Sequence, residues 1–199
     1  MRTFCLSPRR LIAPALLWLP MLAAAATFQV RIDTTPLAGQ SGYLAFDLFQ
    51  GDPATTNQVT IAAFAGTATL GTSTRTGNVV GSLPGAVTLV SSTFFGELLQ
   101  AVVFGAGATT FNLTLSENYL PANTPDNFAV YLLNSAFTPY VTSDPSGANA
   151  LLSVDLLSPL TPQAYVSGFA TISVVPELAN AELMLAGLLL LAGSRRLRK

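Results

Sequence analysis

The chain has 199 residues, of which 50% are hydrophobic and 10% charged, with no histidine and a single cysteine, Cys5. This length suits one domain with additional segments. Without histidine, the chain cannot build a Ser-His-Asp triad, a Cys-His dyad or a Cys/His zinc site by itself. We therefore predict a protein that is not an enzyme, with no catalytic residues, no metal site and no cofactor.

Residues 1–26 have the three-part pattern of a secretory signal peptide. Arginines precede an apolar run, Leu11–Leu22, and small residues follow it. A run of about a dozen residues is too short to span the roughly 30 Å of a bilayer core, and its two prolines shorten any helix. An uncleaved anchor helix is the alternative. We predict cleavage by signal peptidase after one of the last two alanines, and the recognition positions are Ala23, Ala25 and Ala26.

Residues 27–174 contain short apolar runs that alternate with polar residues and are separated by Gly, Pro, Asn and Asp, which is the pattern of β-strands. Strands that are apolar on one face must pair two sheets, so we predict an all-β domain of about eight to ten strands, an antiparallel β-sandwich or jelly-roll. Phe94–Val103 is open to a helical turn instead of a strand. The alternating runs begin at Phe28, Leu44, Val87, Phe111, Phe128 and Ala164.

The charge of this middle region excludes one class of partner. Residues 27–174 carry eight acidic side chains and only two basic ones, Arg31 and Arg75, for a net charge of −6. Nucleic-acid binding needs a basic surface that neutralises phosphates. We therefore predict no nucleic-acid partner.

Some side chains of the middle region could still support catalysis, calcium binding or sugar binding. Two carboxylates at a suitable separation could hydrolyse glycosidic bonds, although most of these acids fall in turns, where they bind their own backbone. Asp144 with Asn149, or Asp52 with Asn57, could contribute to a calcium site. The candidate acids are Asp47, Asp52, Glu97, Glu117, Asp126, Asp144 and Asp155, and the tyrosines that could stack on sugars are Tyr43, Tyr119, Tyr131, Tyr140 and Tyr165.

Residues 175–199 have the pattern of a transmembrane helix with a basic end. A helix from Pro176 to Ser194 would be about 28 Å long, close to the thickness of a bilayer core. The positive-inside rule places the basic tail in the cytoplasm and the β-domain outside. An amphipathic or core helix is the alternative. The predicted membrane residues are Leu183, Met184, Leu185, Leu188, Leu189, Leu190 and Leu191, and the tail consists of Arg195, Arg196, Arg198 and Lys199.

The order of a Val-Pro-Glu motif, a short transmembrane helix and an Arg-rich end resembles the PEP-CTERM sorting domain of bacterial surface proteins. The motif residues are Val175, Pro176 and Glu177, and Leu178 stands at the second proline of the namesake tripeptide. The resemblance implies an exosortase, a membrane transpeptidase that cuts near the motif, as partner. It also implies a diderm bacterium that makes extracellular polysaccharide. Phe28–Asp52 resembles the opening of a family of uncharacterised PEP-CTERM proteins.

The leading hypothesis is therefore an exported, non-enzymatic protein of the cell surface or extracellular matrix, with signal peptidase, an exosortase and the lipid bilayer as processing partners. It would pass through a single-span inner-membrane intermediate. The alternatives are a binding module for matrix polysaccharide, a glycan-active enzyme that uses carboxylates, and a surface protein that stays anchored in the membrane.

Overall fold

The structure is a computed structural model that describes residues 25–121 and 123–176. Ala23, Glu177, the predicted membrane residues and the basic tail lie outside these residues, so the signal and transmembrane helices stay predictions. Within the described ranges, no helix is long and apolar enough to cross a membrane.

The described chain forms twelve strands and one short 3-10 helix, Thr35–Leu37. More strands form than predicted because several have only two to four residues, too few to show a pattern. The strands are β1 Ala25–Asp33, β2 Ser41–Phe49, β3 Gln58–Gly66, β4 Thr69–Thr76, β5 Val79–Gly81, β6 Val87–Val90, β7 Phe95–Val103, β8 Ala108–Ser116, β9 Asn127–Asn134, β10 Leu152–Asp155, β11 Gln163–Ala164 and β12 Thr171–Pro176.

The strands form two six-stranded antiparallel sheets packed face to face. Sheet 1 has the order β12-β1-β8-β3-β6-β5, and sheet 2 the order β11-β10-β9-β2-β7-β4. Their inner faces share one hydrophobic core, in which the ring of Phe46 from sheet 2 meets the edge of Phe111 from sheet 1 at 5.5 Å between centroids. The predicted all-β antiparallel sandwich is thus confirmed.

Apolar and polar residues that alternate in the sequence lie on the inner and outer faces of each strand, respectively. In β8, Phe111, Leu113 and Leu115 are fully buried, while the residues between them face outward and are half-buried. The same period of two places Leu44, Phe46 and Leu48 of β2 in the core. Burial of these side chains is the main driving force for closing the sandwich.

The structure resolves the ambiguous stretches and changes two boundaries. Phe95–Val103 is a strand rather than a helical turn. The last alternating run is two strands, β11 and β12, because the chain between them turns away and leaves Val166 77% exposed. β12 continues through Val175 and Pro176, which pair with Gln29 and Phe28 of β1. Pro176 therefore ends a strand, where we had placed the start of the C-terminal helix.

Candidate functional site

The outer face of sheet 2 brings together two of the candidate carboxylates. Asp47 of β2 lies directly opposite Glu97 of β7 and opposite Ala129 of β9. Because side chains alternate along a strand, Asp47 points away from the core that Phe46 and Leu48 enter. Directly opposed residues on one face have Cβ atoms about 4.5–5.5 Å apart. The sheet thus places two acids side by side.

Asp47 is the one acid of the described residues with a buried carboxylate oxygen that has no hydrogen-bond partner. It is only 9% exposed, and its buried Oδ1 atom has no hydrogen-bond partner. Burial, and secondarily the negative charge of Glu97, raise the pKa of Asp47 from 3.8 to about 7. Burial also raises the pKa of Glu97. The only ion pair within the described ranges joins Arg31 to Asp33, so no base neutralises the Asp47–Glu97 pair there.

Aromatic side chains flank this pair. Tyr131 of β9 lies opposite Ala45 of β2, which is the next outward-facing position from Asp47. The pKa of Tyr131 is raised mainly by burial and also by the negative charges of Asp47 and Asp144. Tyr43 lies further along β2 and stacks on Phe137, with ring centroids 4.5 Å apart. Phe137 is 57% exposed and has a φ of 60°. A non-glycine residue held in this left-handed region is strained, and such strain is concentrated at functional sites.

Shallow cavities lie near both edges of this face. One, of about 290 Å³, is lined by Tyr43, Gly71, Ala101 and Ser135, among others. It forms where glycine and alanine leave space beside the stacked rings. The other, of about 190 Å³, is lined by Ser153, Asp155, Gln163 and Tyr165, among others.

Together these features define a candidate binding surface, referred to as the binding face: Tyr43, Phe137, Tyr131 and Tyr165 with the carboxylates of Asp47 and Glu97. Tyr43 and Asp47 are four residues apart on one strand, which corresponds to about 13 Å. The face is therefore extended and open, and its shape suits a polymer better than a small enclosed ligand.

Asp126 is buried but has a structural role. Its carboxylate accepts hydrogen bonds from Gly51 N at 2.8 Å, Asn57 Nδ2 at 3.0 Å and Ser91 Oγ at 2.6 Å. Gly51 and Asn57 lie in the β2–β3 connection and Ser91 in the β6–β7 connection, while Asp126 itself lies in the β8–β9 connection. Asp126 therefore ties those connections together.

The other acids bind groups close to them or line another cavity. Asp52 accepts from Ala54 N, Asp144 accepts from Ser146 and Ala150, and Asp155 accepts from Asn127 Nδ2. Glu117 lines a cavity in the loop after β8. Asp52 and Asp144 thus bind the backbone of their own turns, as the sequence indicated, whereas Asp155 accepts from a side chain on the neighbouring strand β9.

The two calcium candidates are occupied by protein donors. Asn57 Oδ1 accepts from Ser116 Oγ and Asn118 N, and Asn149 Oδ1 accepts from Thr142 N. In the part of the chain that the structure describes, no three acidic, cysteine or histidine side chains are grouped to hold a metal ion.

The remaining tyrosines lie elsewhere. Tyr140 packs between Phe104 and Phe169, with centroid distances of 6.5 Å and 4.8 Å. Tyr119 lines the same loop cavity as Glu117. The sequence named all five tyrosines, but it did not identify Phe137, whose functional signal is its exposure and its stacking on Tyr43.

No protein-family model, curated protein or solved structure matches this chain.

Proposed function

We propose that this protein is an exported, non-enzymatic component of the cell surface or extracellular matrix that binds polysaccharide through the outer face of sheet 2. The observation that carries this proposal is the grouping of Tyr43, Tyr131, Tyr165 and the exposed Phe137 on one solvent-facing sheet surface. Aromatic rings offer a flat apolar surface for a sugar ring, and tyrosine adds a hydroxyl that can hydrogen-bond to it.

The open shape of the binding face supports a long ligand. The aromatic side chains extend along β2 and across to β11, between two shallow cavities. An extended chain of sugars could contact several of these rings at once, so weak individual contacts would add together. The surrounding polar strands keep the face soluble without the polymer.

The binding test uses the secreted protein and soluble polysaccharides extracted from a producing bacterium. Tyr43→Ala and Phe137→Ala each remove one ring of the stack, and we expect at least about a fivefold loss of affinity. Tyr119→Ala, in the loop after β8, is the matched control and should bind normally. A wild-type protein that binds no polysaccharide in affinity electrophoresis or on glycan arrays would refute the binding proposal.

The route to the surface is proposed from the terminal segments. The signal-peptide pattern of residues 1–26 and the PEP-CTERM-like residues 175–199 support export followed by exosortase processing. Mass spectrometry of the released protein tests this route, since a C-terminus that is intact through Lys199 in cells with an active exosortase would contradict it. Fractionation of Leu178→Pro beside the natural chain distinguishes sorting from permanent anchoring.

We also infer that the sandwich is of the jelly-roll type. The pairs β1–β8, β2–β7 and β3–β6 are nested in the way that winding a long hairpin around the core would produce.

A second candidate function is glycan cleavage, and the opposed carboxylates of Asp47 and Glu97 favour it. Retaining glycosidases hold their two carboxyl groups about 5–5.5 Å apart, and directly opposed residues, whose Cβ atoms are about 4.5–5.5 Å apart, can place their carboxyls in that range. Asp47, with a pKa of about 7, would be the proton donor and Glu97 the nucleophile. Release of reducing ends from the bound polysaccharide, abolished by Glu97→Gln, would support this function over binding alone.

A further inference from the structure

The carboxylates of the binding face lack any positive partner within the structure. Asp47 is more than nine-tenths buried, and its Oδ1 atom has no donor. Glu97 is opposite it on the next strand. A buried, unpartnered carboxylate destabilises the fold unless a proton or a cation neutralises it. The pair therefore favours a ligand that places a positive charge at this position.

Other acidic side chains around the Asp47–Glu97 pair also favour a positively charged ligand. Besides burial, the negative charges of Asp144 and Asp155 raise the pKa of Tyr165, and those of Asp47 and Asp144 raise the pKa of Tyr131. Of the two bases in residues 27–174, Arg31 is on sheet 1 and Arg75 is exposed on the edge strand β4. The face thus concentrates negative charge beside aromatic rings.

A divalent metal ion fits this site poorly. Calcium takes six to eight oxygen ligands as a rule, and only two carboxylates meet here. An ammonium group fits better, because it can donate hydrogen bonds to a carboxylate and is also attracted to the face of an aromatic ring. Both kinds of partner are present on the binding face, in Glu97 with Asp47 and in Tyr131.

We propose that the binding face selects polysaccharides whose sugars carry free amino groups, with Glu97 contacting the ammonium group beside the buried Asp47. This inference rests on the proposed polysaccharide binding and names its ligand class. The ammonium group would provide the positive charge that the pair lacks, while the neighbouring rings hold the sugars.

The experiment compares soluble oligomers of glucosamine with N-acetylglucosamine oligomers of equal length, by isothermal titration of the secreted protein. The titrations are run at low ionic strength, on the acidic side of neutrality, where amines are protonated. We expect the amino oligomer to bind at least about tenfold more tightly. Glu97→Gln should bring the two affinities within about twofold, because it keeps the shape of the side chain and removes its charge. Asp47→Asn should change the preference less, because Asp47 is already mostly protonated below its pKa of about 7. Glu117→Gln, in the loop after β8, is the matched control and should keep the full preference.

The outcomes distinguish a failure of the proposed function from a failure of the inference about amino groups or of the assigned site. If wild-type protein binds neither oligomer nor any other glycan, the proposed function itself fails. If it binds both oligomers equally, the proposed function survives and the inference about amino groups is overturned. If the preference persists in Glu97→Gln, the attraction comes from the overall negative charge of the domain and the assigned site is wrong.

Discussion

Asp47 of β2 faces Glu97 of β7 across the outer face of sheet 2, and no basic side chain of the described residues forms an ion pair with either acid. Like charges directly opposite one another destabilise a sheet. In this protein the arrangement is relieved when Asp47 holds a proton, since burial and Glu97 raise its pKa to about 7.

The first prediction is a loss of stability as the pH rises. The unfolded chain releases the Asp47 proton near its usual pKa of 3.8, whereas the folded protein keeps it up to about 7. Between these values the folded state binds more protons, so the free energy of unfolding falls with rising pH, by at most about 4 kcal/mol at roughly 1.4 kcal/mol per pKa unit.

Urea unfolding of wild type and Asp47→Asn from acid to mildly alkaline pH measures this effect. Other carboxyls also titrate, and the pKa values of Asp33 and Asp144 are lowered by hydrogen bonds, so the difference between the two proteins isolates Asp47. We expect the variant to gain stability relative to wild type as the pH rises toward 7 and beyond. Parallel curves would show that Asp47 titrates normally.

The second prediction concerns the buried acceptor Asp126. Asp126→Ala leaves three donors, Gly51 N, Asn57 Nδ2 and Ser91 Oγ, without their acceptor. We expect a loss of about 3–5 kcal/mol in unfolding free energy. Asp155→Ala removes an exposed carboxylate and should cost less than about 1 kcal/mol. Equal losses in the two variants would contradict the structural role of Asp126.

The third prediction tests the contact between the two sheets. Phe111 is fully buried and contacts Phe46 edge-on and Phe64 in a stacked arrangement. Phe111→Ala should reduce the free energy of unfolding by about 3–5 kcal/mol, because it removes aromatic packing and leaves a cavity. Phe94→Ala is the control, since that ring is 77% exposed, and its thermal midpoint should hardly move.

The fourth prediction compares two glycines. A Cβ atom on Gly42 would meet the carbonyl oxygen of Leu133 and come within 2.7 Å of the Phe104 ring, whereas one on Gly168 would meet nothing within 4 Å. Gly42→Ala should therefore cost about 2–3 kcal/mol, as overpacking does, while Gly168→Ala should be close to neutral. Differential scanning calorimetry of both variants would reveal the contrast, and a stable Gly42→Ala protein would argue against this packing.

Much of the fold was predictable because it depends on local pattern. Phe28, Phe111 and Phe128 begin runs that alternate every second residue, and each run became a strand with these side chains buried. The strands β3, β5 and β10 were not among the predicted runs. β5 has only three residues and β10 only four, and in β3 a register shift between Ala62 and Ala65 interrupts the pairing. The division between β11 and β12 was also missed, since Val166 continues the alternation in sequence although the chain there leaves the sheet.

The residue types of the candidate site were predictable from the sequence, but their arrangement in space was not. The sequence showed that any chemistry must come from carboxylates and tyrosines, since histidine is absent and the only thiol is Cys5. It also placed Asp47 and Glu97 among the candidates. Nothing in the sequence paired them, because residues 50 positions apart meet only when β2 and β7 become neighbours in one sheet.

The sequence by itself determined the class of fold, the negative charge of the domain, and the residue types available for function, because composition and period-two alternation are local properties. Only the tertiary structure decided that Asp47 would be buried beside Glu97, that Asp126 would accept three hydrogen bonds, and that Phe137 would stack on Tyr43. These relationships depend on strand order and register, which are set when the two sheets close around their shared core.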